Sequence, residues 1–371
     1  MAPVIRALRA RRGLETRVVS TGQHREILAQ TLEALGIEID IDLEIMRADQ
    51  SLAGLTARLL ASFDELLAKT QPDLVLAQGD TTSVFTVSLA CFYRGIPFGH
   101  VEAGLRTHDI TTPFPEEANR VLASRLAALH FAPTDEAQRN LLAERVDETT
   151  IHVVGNTCID ALLEMRARRP KLGVELPADA RLALVTAHRR ESFGAPIRAV
   201  CDAVHTLAER YADLHVLWPV HPNPNVAPVV SERLGAHPRI HLCDPLPYDG
   251  FVAAMLRATL ILTDSGGVQE EAPALRVPVL VLRKESERPE AVAAGVSSLV
   301  GTDPARILAE SARLLDDDAW YASMSRGASP YGDGRAAERI DQVIARFLTL
   351  PGHADLELAA RFDAATSRVP E

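Results

Sequence analysis

Residues 260–271 read Leu260-Ile261-Leu262-Thr263-Asp264-Ser265-Gly266-Gly267-Val268-Gln269-Glu270-Glu271. A short apolar run stops at a polar turn, two glycines follow, and a helical pattern begins near Val268. A continuously apolar strand is covered on both faces, and a strand that feeds straight into a helix is half of a βαβ unit. The same alternation continues in both directions. Strand-like runs at 182–186, 215–219, 239–242 and 279–282 accompany helical stretches at 196–211 and 268–275. An earlier series at 17–20, 74–77, 98–101, 130–132 and 152–154 accompanies helical stretches at 25–35, 52–69 and 119–128. Parallel strands need such crossovers, so the pattern predicts an α/β fold with two doubly wound Rossmann-like domains facing a cleft.

The chain has 371 residues, enough for two or three domains at roughly 150 residues each. The charged stretch 166–181, with Pro170, Gly173 and Pro177, separates the two series of strands. The expected domains are 1–165 and 166–334. A final amphipathic helix at 335–350 is expected to pack back on the first domain, and 351–371 to form a frayed tail. Near the start, Val4, Ile5 and Leu8 among Arg6, Arg9, Arg11 and Arg12 read as a surface helix rather than a targeting peptide.

Thirty-nine basic and 50 acidic side chains give a net charge of −11. Such a balance argues against nucleic acid or an anionic membrane surface as a partner. No apolar run reaches the ~18 residues of a membrane span. Cys91, Cys158, Cys201 and Cys243 are scattered, which fits neither a zinc site nor a disulfide framework and suits a reducing cytoplasm. No metal site is expected.

Ligands of such sheets bind at the carboxyl ends of strands. In the first series those ends carry Gly79-Asp80-Thr81 and Glu102-Ala103-Gly104, and Glu116 and Glu117 open the next helix. Asp80, Glu102 and Glu116 could converge, and poised carboxyl groups suit proton removal and delivery. Helix capping is the alternative for Glu116 and Glu117. In the second series the ends carry His188-Arg189-Arg190 and His221-Pro222-Asn223. A histidine is often structural, but two at strand ends beside paired arginines suit an anion clamp. Ser265, Gly266 and Gly267 at a helix start suit a diphosphate, with Glu271 placed to accept from ribose hydroxyls. The alternative is a plain turn capped by Asp264. Arg283, Lys284 and Arg288 add positive charge after the next strand. Neither GxGxxG nor GxxxxGK is present, which weakens the case for a nicotinamide cofactor or an ATP P-loop.

Several strings share one order with a known family. They include TGQHREIL (21–28), QGDTTS (78–83), GHVEAGLRT (99–107), PFPEEANR (113–120) and VGNTCIDAL (154–162). TAHRRESFG (186–194), PVHPNPNV (219–226), LTDSGGVQEEAP (262–273), ERPEAV (287–292) and PYGDG (330–334) continue it. By these strings the chain resembles the non-hydrolysing UDP-N-acetylglucosamine 2-epimerases, from Met1 to about Leu350. The resemblance implies the glycosyltransferase B-type fold and an isomerase of UDP-N-acetylglucosamine and UDP-N-acetylmannosamine. It also implies a cytoplasmic homodimer that uses no cofactor. Asp80, Glu102, Glu116 and His188 match the family's catalytic positions. Phe251, Ser265, Gly266, Gly267, Glu271 and Arg288 match its UDP-binding positions. Gln23, Glu116, Arg189 and His221 match positions that hold a second UDP-N-acetylglucosamine as an activator in bacterial members, although Glu26 and Asp49 differ from the usual Gln and Arg.

Family members open with a strand and a GTRPE-type loop, and Met1 matches the helix that follows. The expectation is a natural start further upstream; a truly short chain would lack a central strand and two active-site cations. Three other readings of the function stand beside the isomerase: a hydrolysing 2-epimerase, a B-type glycosyltransferase, and an inactive binder of UDP-sugars.

Overall fold

In the computed structural model, residues 1–22, 32–47, 50–285, 288–326, 329–350, 361–364 and 369 are described. The chain divides into two units, Met1–Ala161 with Tyr331–Pro370, and Leu162–Pro330. Both are α/β with parallel sheets, as the strand–helix alternation predicts. Most of the helix expected at 25–35 lies outside the described residues.

Unit 1 holds β1 (Val19–Ser20) and β2 (Ile41–Asp42), paired in parallel. Its larger sheet is β3 (Val75–Gln78), β4 (Phe98–Val101), β5 (Leu129–Ala132) and β6 (Ile151–Val153), side by side in that order. Every residue of β4 and β5 is buried, as in a parallel sheet covered on both faces, and the buried set includes His100 and His130. The helix Leu52–Thr70 is capped by Ser51, whose hydroxyl accepts from Gly54 N, and it buries Leu55, Leu59, Phe63 and Leu67. Four-residue spacing puts those side chains on one stripe. The first helix, Ala2–Ala10, buries Val4 and Leu8 on a similar stripe.

Unit 2 is one six-stranded sheet. Its strands are β7 (Arg181–Thr186), β8 (Leu214–Pro219), β9 (Ile240–Cys243), β10 (Leu260–Thr263), β11 (Val279–Val281) and β12 (Ser297–Leu299). The spatial order is β12-β11-β10-β7-β8-β9. The order therefore reverses between β7 and β10, whose pairing aligns Leu262 with Val185 and Thr263 with Thr186. Trp218, Val216, Val185, Leu262 and Leu280 pack there with Ile197, Val200, Val204 and Leu207 of the helix Ala195–Arg210. No helix among the described residues is long and apolar enough to cross a membrane.

Three features differ from the sequence expectation. The units divide at Ala161 and Leu162, inside the helix Thr157–Ala167, not in the charged stretch 166–181. Tyr331 already belongs to unit 1, where its carbonyl accepts from Asn156 N at 2.6 Å. Charge and proline mark where a chain meets solvent, whereas the division follows contacts. β2 and β12 were also not expected, being too short and polar to show a period. Finally, 351–371 is not wholly a frayed tail. Phe362 is 1% exposed, its N–H donates to Val153 O at 3.1 Å, and its ring packs with Ala132, Leu141, Ile151 and Val153.

The helix Ala336–Phe347 lies in unit 1, where Ile340 and Ile344 join Val4, Leu8, Val101, Leu129 and Phe131. Its start is held by Asp160, whose carboxylate accepts from Ala336 N (3.2 Å) and Ala337 N (2.8 Å). Burial pushes the Asp160 carboxyl up to about 6 from 3.8, against the pull of those two amides. A carboxyl raised by folding contributes stability that is complete below about 3.8 and lost as the pH rises through about 6. Urea titrations between about pH 4 and pH 7 should therefore show wild type losing roughly 1–3 kcal/mol relative to Asp160→Asn. A pH-independent difference would exclude this burial effect. Phe362→Ala should cost roughly 3–5 kcal/mol as a large-to-small core change. A loss under about 1 kcal/mol would show that the residue is not part of the core.

Candidate active site

Side chains of interest gather at strand carboxyl ends in each unit. In unit 1, β3 pairs with β4 so that Gln78 faces Val101, which sets Asp80 and Glu102 on neighbouring strand ends. Gly79 turns the chain with φ 87°, and a Cβ there would lie 3.7 Å from Glu102 Oε2. Glu102 itself has φ 65°, a left-handed conformation costly for a side chain with a Cβ and concentrated at functional sites. Its Oε2 accepts from Gln78 Nε2 at 3.2 Å. His100, beneath them and wholly buried, contacts Gly79 O through Nε2 at 2.8 Å. Burial pushes this imidazole down to about 4, so it is a neutral strut that fixes the turn.

Glu116 is half-buried at the first position of the helix Glu116–Leu126. One turn further on, Arg120 makes an ion pair with Asp80, and Asn119 Nδ2 donates to Asp80 O at 2.9 Å. The structure thus brings Asp80 and Glu102 together and ties the helix bearing Glu116 to Asp80. Glu117 has a different task. It is 1% exposed, and its Oε1 accepts from Thr107 N (3.0 Å) and His108 N (3.2 Å), pinning the loop after β4. Asn119 and Arg120 were not singled out from sequence, although the spacing of three and four from Glu116 places them beside its face.

In unit 2, His188 and Arg189 follow the end of β7, and Ser265 and Gly266 follow the end of β10. Between them stands Asp264, 0% exposed. Its Oδ2 accepts from His188 N and Arg189 N, both at 2.8 Å, and from Ser192 Oγ at 3.0 Å. Asp264 therefore does not cap the helix Gly266–Ala274, and Ser265 makes no side-chain cap either. Among the described residues neither side chain caps the start of that helix, and the amides of a helix N-terminus attract anions. A Cβ on Gly266 would lie 3.7 Å from Arg189 Nη2 and 3.9 Å from Arg288 Nη2. Two guanidinium groups thus flank the helix start. Gly267 is exposed, with open space where a Cβ would stand.

Arg288 is paired with Glu270, and Arg283 with Glu191 at 2.5 Å; Lys284 is exposed. Glu271 Oε1 accepts from Tyr248 Oη at 3.3 Å, and burial with the charge of Glu270 pushes its carboxyl up to about 8. Phe251 lies three residues after Tyr248 on the helix Tyr248–Arg257, half-buried on the same side. The His188 and His221 rings stack at 5.4 Å and 14°. Burial lowers the His188 imidazole below its usual value, Asp264 opposes this, and His221 and Arg189 add to it. His221 is exposed, and its Nδ1 accepts from Asn223 N at 3.2 Å. Gln23, with Glu26 and Asp49, lies outside the described residues.

Comparison with known proteins adds identity to this geometry. The family model described as UDP-N-acetylglucosamine 2-epimerase matches residues 6–345. The UDP-N-acetylglucosamine 2-epimerase of Escherichia coli K12 is 49% identical over 350 residues, covering 92% of this chain and 93% of that one. The enzyme of the same name from Salmonella typhimurium is 47% identical over 354 residues, covering 93% and 94%. Among solved structures, the UDP-GlcNAc 2-epimerase of Neisseria meningitidis bound to UDP-GlcNAc superposes with a TM-score of 0.86 at 40% identity, covering 93% and 96%. The family match spans both units and both groups of strand-end residues, and this chain belongs to the UDP-N-acetylglucosamine 2-epimerase family.

Proposed function

We propose that this protein interconverts UDP-N-acetylglucosamine and UDP-N-acetylmannosamine without hydrolysing them, in the cytoplasm and as a homodimer, supplying ManNAc units for an envelope or capsular polysaccharide. The observation that carries the reading is the uncapped helix start at Gly266, flanked by the guanidinium groups of Arg189 and Arg288. An anchor of this kind suits a diphosphate, and here the diphosphate is also the leaving group. Phe251, Ser265, Gly267 and Glu271 complete the proposed nucleotide site.

The chemistry explains why such an anchor is needed. The C2 hydrogen of the sugar is not beside a carbonyl, so direct removal as a proton is slow. If the C1–O bond breaks with its electron pair leaving on UDP, C1 gains positive character and C2–H becomes acidic. A base takes the C2 proton and 2-acetamidoglucal forms. UDP then adds back through its β-phosphate oxygen to C1, while a proton is delivered to the opposite face of C2. Atoms and charge balance without an oxidant or reductant. Asp80, Glu102, Glu116 and His188 are the proposed proton-handling groups.

In deuterium oxide, UDP-GlcNAc should take up one deuterium at C2, read by proton NMR and mass spectrometry, with little free sugar. Free ManNAc plus UDP would instead indicate a hydrolase, and transfer to an added acceptor a glycosyltransferase. We also propose that Gln23, Glu116, Arg189 and His221 hold a second UDP-GlcNAc. A sigmoidal dependence of rate on UDP-GlcNAc is expected in the same assay, and a hyperbolic one would exclude activation by substrate. His188→Ala should lower kcat on the order of 100-fold or more, as loss of an acid–base group does, with UDP affinity changed by less than about threefold. Equal losses in both would place His188 in binding alone.

A further inference from the structure

Asp264 is a buried carboxylate that bridges two strand ends. Its N–H donates to Thr186 O at 3.1 Å, and the neighbouring Thr186 and Thr263 hydroxyls bond to each other at 2.6 Å. The Asp264 side chain is therefore held with little freedom. Oδ2 is filled by His188 N, Arg189 N and Ser192 Oγ. Oδ1 is buried without a hydrogen-bond partner among the described residues, and the polar atom facing it is His188 Nδ1, 3.5 Å away. A buried oxygen with no donor is destabilising. Hydrogen bonds at catalytic groups are often long in the free enzyme and tighten when substrate binds. The His188 ring is also stacked against that of His221. The imidazole thus has a ring stacked on it and Nδ1 within 3.5 Å of a carboxylate oxygen.

We propose that Asp264 is a positioning residue that keeps the proton of neutral His188 on Nδ1 and leaves Nε2 bare to accept a proton. This rests on the participation of His188 in epimerisation proposed above. A carboxylate behind the far nitrogen of an imidazole fixes its tautomer and steadies the cation formed when the near nitrogen is protonated. One side chain then does two things: Oδ2 shapes the backbone that carries His188 and Arg189, and Oδ1 sets which nitrogen of His188 can act.

Two variants separate these tasks. Asp264→Asn turns an amide toward Nδ1 and favours the opposite tautomer. Ser192→Ala removes a donor to Oδ2 and leaves the Nδ1 contact alone. Long-range proton–nitrogen NMR on histidine-labelled protein, with His188 identified by its loss in His188→Gln, should show the Nδ1–H form in wild type and Ser192→Ala, and the Nε2–H form in Asp264→Asn. Asp264→Asn should lower kcat about 10–100-fold with KM for UDP-GlcNAc within about threefold, while Ser192→Ala stays within about threefold in both. An Nε2–H tautomer in wild type overturns the proposal. So does an unchanged tautomer in Asp264→Asn, or a loss of kcat in both variants that merely tracks the loss of folded protein. Should Asp264→Asn not fold, the wild-type tautomer still decides. If wild type shows no epimerisation at all, the function proposed above fails, while the NMR result still reports on the Asp264–His188 pairing.

Discussion

The parallel pairing of β7 with β10 is the constraint on which the chemistry of unit 2 depends. It is the point where strand order reverses, so the connections leave these two strands in opposite directions and open a space at their carboxyl ends. The register Thr263↔Thr186 then fixes which residues meet there. One step beyond it, Asp264 reaches the amides of His188 and Arg189. Because the carboxylate is engaged with that loop, it does not cap the helix beginning at Gly266. Anion attraction at the helix start and placement of the histidine are therefore two results of one side chain's choice of partner.

Unit 1 uses the same strand-end logic for a different purpose. There the adjacent ends carry acids, and the supporting groups are Gln78, Asn119, Arg120 and a neutral His100. Arg120 balances Asp80 and also approaches Glu117 at 3.2 Å. Three acidic groups close to one end of a sheet would repel one another, and a shared guanidinium reduces that cost. Glu102, held in a left-handed conformation, has its carboxylate aimed by the backbone as well as by its hydrogen bond.

Much of this was legible in the sequence because the signals are local. Buried parallel strands leave short, mainly apolar runs, so 98–101 and 260–263 coincide with β4 and β10. Glycines between a strand and a helix mark where a backbone must turn, so the Gly266 region stood out at once. Other features have no local signature. β12 is a three-residue strand with two serines. Phe362 is one aromatic residue in a polar stretch, without periodicity to show that it is buried. In sequence Asp264 reads only as the cap of an alternative plain turn, and its true partners lie 72–76 positions away. Asn119 and Arg120 were within reach of simple helical spacing once Glu116 was placed at a helix start.

The division of the chain has a consequence for how the protein is made. Unit 1 is built from both ends of the sequence, and unit 2 is a continuous insert between them. On the ribosome, unit 2 emerges whole and can form its sheet while the chain is still growing. Unit 1 must wait. Until the helix Ala336–Phe347 appears, Val4, Leu8, Val101 and Phe131 lack the apolar surface that covers them. Phe362 comes later still, so Ala132, Ile151 and Val153 are closed over only after that segment has emerged. The segment translated before unit 2 belongs to the unit completed after it, and during that interval its exposed apolar face is the surface on which chaperones or aggregation would act.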